Sequence, residues 1–170
     1  MLAEAQVIGA LRPAVAERAL NLALTLATEL LRAPLESRTI HGDFNPGQVL
    51  LADDGPKIFD FDQAARGDPA EDLGDFISRL ERDTLYAKLA SDTLELIKSA
   101  LLTGYQSTTR APLPARINLY TAAGLLQLAY KPFRRREPDW PQRVEALLNR
   151  AEEILYGSDR KTAAQKAILP

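Results

Sequence analysis

Two short stretches hold the residues best suited to chemistry. The first, residues 41–51, reads HGDFNPGQVLL and contains the single histidine of the chain. The second, residues 57–62, reads KIFDFD. Both are apolar, strand-like runs with carboxylates at their edges: Asp43 before one, Asp60 and Asp62 at the end of the other. Burying an unpaired carboxylate is costly, so three of them beside apolar runs imply a bound cation or a paired partner. The charge distribution agrees. Residues 41–80 hold nine acids against three bases, a net of −6, whereas the whole chain carries only −2. A local acidic excess of this kind suits a cation site or a solvated face.

Composition removes several alternatives. There is no cysteine, which excludes disulfides, thiolate metal sites and cysteine nucleophiles. One histidine cannot supply a site that needs two or three imidazoles. With 170 residues, 46% of them hydrophobic and 26% charged, the chain suits one soluble domain with a sizeable core. No stretch approaches the ~18 apolar residues of a membrane span. The N-terminus lacks the early positive charge of a signal peptide, so a cytoplasmic location is expected.

The elements that must position these residues are mainly helical. Residues 2–12 and 14–32 read as helix, broken at Pro13. The second of these is apolar on most faces, the pattern of a buried helix. Gln48–Ala52 and Lys57–Phe61 read as one β-hairpin turning at Asp53-Asp54-Gly55-Pro56. Asp68-Pro69-Ala70-Glu71 has the chemistry of a helix start, with Asp as cap, Pro at the first position and Glu at the third. That helix is expected to run to about Arg82. Further helices are expected at 84–106, 113–131 and 140–156, the last stopped by Gly157. Residues 158–170 have little to bury and read as a flexible tail. The fold class is therefore α+β, with one small hairpin among about six helices.

In order and spacing, HGD, the amide five residues after its Asp, DFD and GDPAEDL resemble the catalytic centre of protein-kinase-like phosphotransferases. The pattern is most similar to the aminoglycoside phosphotransferase and choline kinase group, which phosphorylates small molecules. The resemblance is close over residues 36–82 and general over the later helices. It implies a catalytic lobe over residues 1–157, with Mg2+ and ATP as cofactor and co-substrate. It makes Asp43 the catalytic base and gives the metal to Gln48 and Asp60, with Asp62 holding a metal-bound water. Asp72 becomes a brace for the catalytic-loop backbone, and His41 a packing and hydrogen-bonding element. Gln48 departs from the family's usual asparagine; maltokinase-like sugar kinases share the Gly-Gln-Val run.

Neither a Gly-rich loop nor an early lysine precedes HGD, and the first lysine is Lys57. The resemblance is thus to a C-terminal lobe alone. It implies an upstream N-terminal lobe in cis or in trans, weak activity in isolation, and self-association through an uncovered apolar face. The substrate is a small-molecule hydroxyl: aminoglycoside, choline, amino alcohol or sugar. The alternative is a non-catalytic lobe that binds a metabolite or a protein. The basic run Lys131-Pro132-Phe133-Arg134-Arg135-Arg136 raises nucleic acid, but on a chain of net charge −2 it reads as the end of a helix.

Overall fold

The computed structural model describes residues 1–32 and 37–166, the side chains of 158–166 apart. The chain divides into two compact units, residues 1–33 with 122–170, and residues 34–121. The class is α+β, and among the described residues no helix is long and apolar enough to cross a membrane.

The first unit is helical. Helix α1 spans Leu2–Leu11; Pro13 opens a 3-10 turn over Pro13–Val15, and α2 follows over Ala16–Arg32. Proline fixes its own φ and offers no N–H, so the chain restarts its helix there instead of continuing it. Helix α2 is not buried all round, as its leucines suggested. Ala19, Leu22, Ala23 and Leu26 form one buried stripe, whereas Leu20, Leu24 and Leu31 are exposed. The spacing i, i+3, i+4, i+7 accounts for the stripe. Short helix α6 (Lys131–Arg134) takes up the start of the basic run. The long α7 (Trp140–Lys166) buries Val144, Leu147, Leu148, Ala151 and Leu155 on one side. Arg12 and Arg18 pair with its Glu145 and Glu152. Gly157 does not end α7, contrary to expectation; the backbone stays helical to Lys166, through the segment read as a tail. A helical glycine costs only ~1 kcal/mol relative to alanine, which a long helix absorbs.

The second unit carries two antiparallel ribbons rather than one hairpin. Strand β1 (Arg38–Ile40) pairs with β4 (Ala65–Gly67), in register Thr39 with Arg66. Strand β2 (Val49–Ala52) pairs with β3 (Gly55–Ile58), in register Leu50 with Lys57. The β2–β3 ribbon ends at Ile58, so Phe59 and Asp60 leave the ladder. Helix α3 (Pro69–Leu85) begins as its sequence dictates: the Asp68 side chain accepts from Ala70 N at 2.9 Å. The expected helix over 84–106 is displaced. Ala87 adopts a left-handed φ of 54°, the chain turns, and α4 runs from Ser91 to Thr109. Ala70, Leu73 and Ile77 of α3 form this unit's core with Ile117, backed by Leu101, Leu102 and Tyr105 of α4. Helix α5 (Ile117–Leu128) crosses the boundary between the units. At Gly74 a Cβ would lie 2.5 Å from that of Tyr120, so α3 meets α5 across a bare glycine.

Candidate active site

The loop from His41 to Gln48 joins β1 to β2 and takes its shape from polar contacts within the chain. Gly42 has φ +84°, and a Cβ there would sit 2.3 Å from the Gln63 carbonyl oxygen. Only glycine meets both conditions without strain. Asp72 of α3 accepts from His41 N at 2.7 Å and from Gly42 N at 2.9 Å, one with each carboxylate oxygen. Asn45 closes the turn: its Nδ2 donates to Asp43 O at 2.9 Å, and its Oδ1 accepts from Gly47 N at 3.0 Å. A 3-10 turn over Pro46–Gln48 then leads into β2.

At the centre lies the Gln48 side chain, 7% exposed. Its Nε2 donates to Asp43 Oδ2 and to Asp60 Oδ2, both at 3.2 Å. Ionised carboxylates only accept, so the amide must turn its nitrogen toward them. Its oxygen, Oε1, is buried and has no hydrogen-bond partner among the described residues. Asp60 itself has φ 69°, a left-handed conformation that a residue other than glycine adopts at some cost. The other oxygen of Asp43, Oδ1, accepts from Arg79 Nη2 at 3.2 Å.

Asp43, Gln48 and Asp60 are thus brought together from positions up to 17 residues apart in sequence. Asp62 is not part of that cluster; it lies exposed in the 3-10 turn Phe61–Gln63. His41 is buried: its Nε2–H donates to the Phe59 carbonyl at 2.9 Å, and its ring lies 4.8 Å from Phe61 and 5.9 Å from Phe44. Two participants escaped the sequence reading, Asn45 and Arg79. A signal for Arg79 was present: Asp72, Phe76 and Arg79 follow the i, i+4, i+7 spacing of one helix face. Phe76 packs against Phe44 at 5.0 Å, so that face addresses the loop at three points.

A divalent cation fits this donor set in one respect. Among the described residues no three acidic or imidazole side chains converge on a metal position. Gln48 Oε1, buried and unpartnered, and the Asp60 carboxylate are hard oxygen donors that would hold Mg2+ together with ligand oxygens. Burial, and then Asp75, Asp72 and Asp68, push the Glu71 carboxyl above its ordinary value.

Residues 2–120 match the model of the phosphotransferase enzyme family. Among curated proteins and solved structures, no match was found.

Proposed function

The chain belongs to the phosphotransferase enzyme family, and we propose that it moves the γ-phosphate of ATP to the hydroxyl of a small molecule. The observation that carries this reading is the Gln48 amide, which holds Asp43 and Asp60 3.2 Å from one nitrogen. A base for a hydroxyl and a ligand for a phosphate-bound metal must stand side by side in such a reaction.

In this reading Asp43 accepts the hydroxyl proton as the acceptor oxygen bonds to phosphorus and the bond to the ADP oxygen breaks. Gln48 Oε1 and Asp60 would hold Mg2+, which would neutralise phosphate charge when bound. Asp72 keeps the loop backbone in place, and His41 ties the loop to Phe59. Asp62, exposed two residues after Asp60, would hold a metal-bound water.

Labelled ATP, offered with an aminoglycoside, choline and maltose as acceptors, tests the reading. We expect Mg2+-dependent transfer to one class of acceptor, loss of it in Asp60→Ala, and a fall of roughly 10²–10⁴-fold in Asp43→Asn. Undiminished turnover in Asp60→Ala would end this reading.

A second reading, a non-catalytic lobe that binds a metabolite or protein, draws on a different observation. Leu50, Leu51, Ile58, Phe59 and Phe61 are all exposed on or just beyond the β2–β3 ribbon. Contiguous apolar surface marks an interface. It would be favoured by no ATP-dependent transfer to any acceptor, by this chain alone or together with an upstream N-terminal lobe. Turnover in either case would count against it.

A further inference from the structure

We infer that Arg79 is a positioning residue that fixes the rotation of the Asp43 carboxylate. The inference deepens the proposed reaction and rests on Asp43 being its base.

The terminal torsion of an aspartate is broad and roughly two-fold, so a carboxylate on a loop does not choose its own orientation. In this site both oxygens are tied. Oδ1 accepts from Arg79 Nη2, and Oδ2 accepts from Gln48 Nε2, each at 3.2 Å. Removing the arginine contact frees one end, and the carboxylate can then swing away from the amide that links it to Asp60.

The surroundings of Arg79 argue against a merely structural ion pair. Its side chain is 16% exposed, against 33% for Asp43. A guanidinium carries five donors, and structural pairs exploit them bidentately or in networks. Among the described residues the contact is single, and the buried Nε–H has no acceptor. The enclosed charge is therefore committed to one oxygen of one carboxylate. Its place on α3 supports the same role. Asp72, on the same face, already holds the loop backbone at His41 and Gly42, so the loop does not need Arg79 to keep its path.

The test uses the full chain and two variants, Arg79→Met and Arg79→Lys. Met keeps the apolar stem of the side chain and removes the charge; Lys keeps the charge and loses the fork. The first readout is the Gln48 side-chain NH2 signal in a 15N-correlated NMR spectrum, which needs no turnover. We expect it to move toward that of an exposed glutamine in Arg79→Met and to return part of the way in Arg79→Lys. The backbone amides of His41 and Gly42 should stay in place. An unmoved Gln48 signal overturns the proposal. So does a joint shift of His41 and Gly42, which would make Arg79 a brace of the loop.

The second readout is phosphotransfer from Mg·ATP to the acceptors named above. Arg79→Met should lower kcat roughly 10–100-fold, as expected for a misplaced reacting group. KM for Mg·ATP should stay within about twofold, because the base acts on the hydroxyl and not on the nucleotide. Unchanged kcat in an active protein overturns the proposal. A wild-type chain that transfers nothing counts against the reaction instead, and the NMR readout then decides the role of Arg79 alone.

Discussion

Asp43 and Asp60 each accept from the same Gln48 nitrogen, yet what stands behind them differs. Asp43 sits on a loop held by three residues of one helix face: Asp72 on its backbone, Phe76 on the neighbouring Phe44, Arg79 on the carboxylate itself. Asp60 is exposed, lies just past a ribbon whose apolar side chains face solvent, and holds a left-handed backbone. Among the described residues its carboxylate has only the Gln48 amide for a partner. One wall is fixed by the chain; in the proposed reaction a metal and its nucleotide would complete the other. That division suits a reaction in which the base must be in place before the substrate arrives, whereas a metal comes and goes with its nucleotide.

Removing the brace should do most damage. Asp72→Ala leaves two loop donors without acceptors, at about 1–3 kcal/mol each. Urea unfolding should show a clearly lower midpoint; an unchanged midpoint would mean that α3 does not hold the loop. Gly42→Ala strikes the same wall from the other side. Its left-handed φ and the nearby Gln63 carbonyl should cost at least ~1–2 kcal/mol in the same assay. On the open wall the sign reverses. Asp60→Gly should be more stable than Asp60→Ala by about 1 kcal/mol, because glycine accepts the left-handed backbone, while both lose activity. Equal midpoints would remove strain from the description of this wall.

Glu71 gives a smaller effect with a defined pH dependence. Its carboxyl is pushed upward by burial and by Asp75, Asp72 and Asp68, so the folded state holds its proton more tightly than the unfolded chain. Stability is then lost as pH rises from the ordinary glutamate range through the raised folded value. Glu71→Gln should therefore raise Tm slightly at neutral pH, with the gain vanishing at pH below the glutamate range. A gain of the same size at all pH would point to packing instead of charge. Smallest of all is Asp62→Asn, which should change stability by no more than ~0.5 kcal/mol. A large loss would show that Asp62 belongs to the fixed structure.

The meeting of Asp43, Gln48 and Asp60 could be anticipated from residue types and spacing, although the apolar runs beside them, expected to be buried, are exposed. The Asp68 cap and Pro69 marked the start of α3 for a local reason, a side chain bonding its own helix. What escaped was set by distance. The β1–β4 ribbon joins Arg38–Ile40 to Ala65–Gly67, three-residue strands too short to show alternation. Arg79 was visible as a helical phase, but its partner Asp43 lies 36 residues earlier, and nothing local announces that meeting. Gly157 misled because a glycine ends a helix only when its backbone turns left-handed, which composition does not show.

In the proposed reaction Asp60 and Gln48 take up a metal–nucleotide while the Asp43 loop is already in place. Titrating millimolar Mg·ATP into the 15N-labelled chain measures this directly. Signals of Asp60, Phe61 and the Gln48 side chain should move, those of His41 and Gly42 should hold, and neither ATP without Mg2+ nor Mg·ATP on Asp60→Ala should reproduce the shifts. Shifts of equal size without Mg2+ or in Asp60→Ala would contradict it.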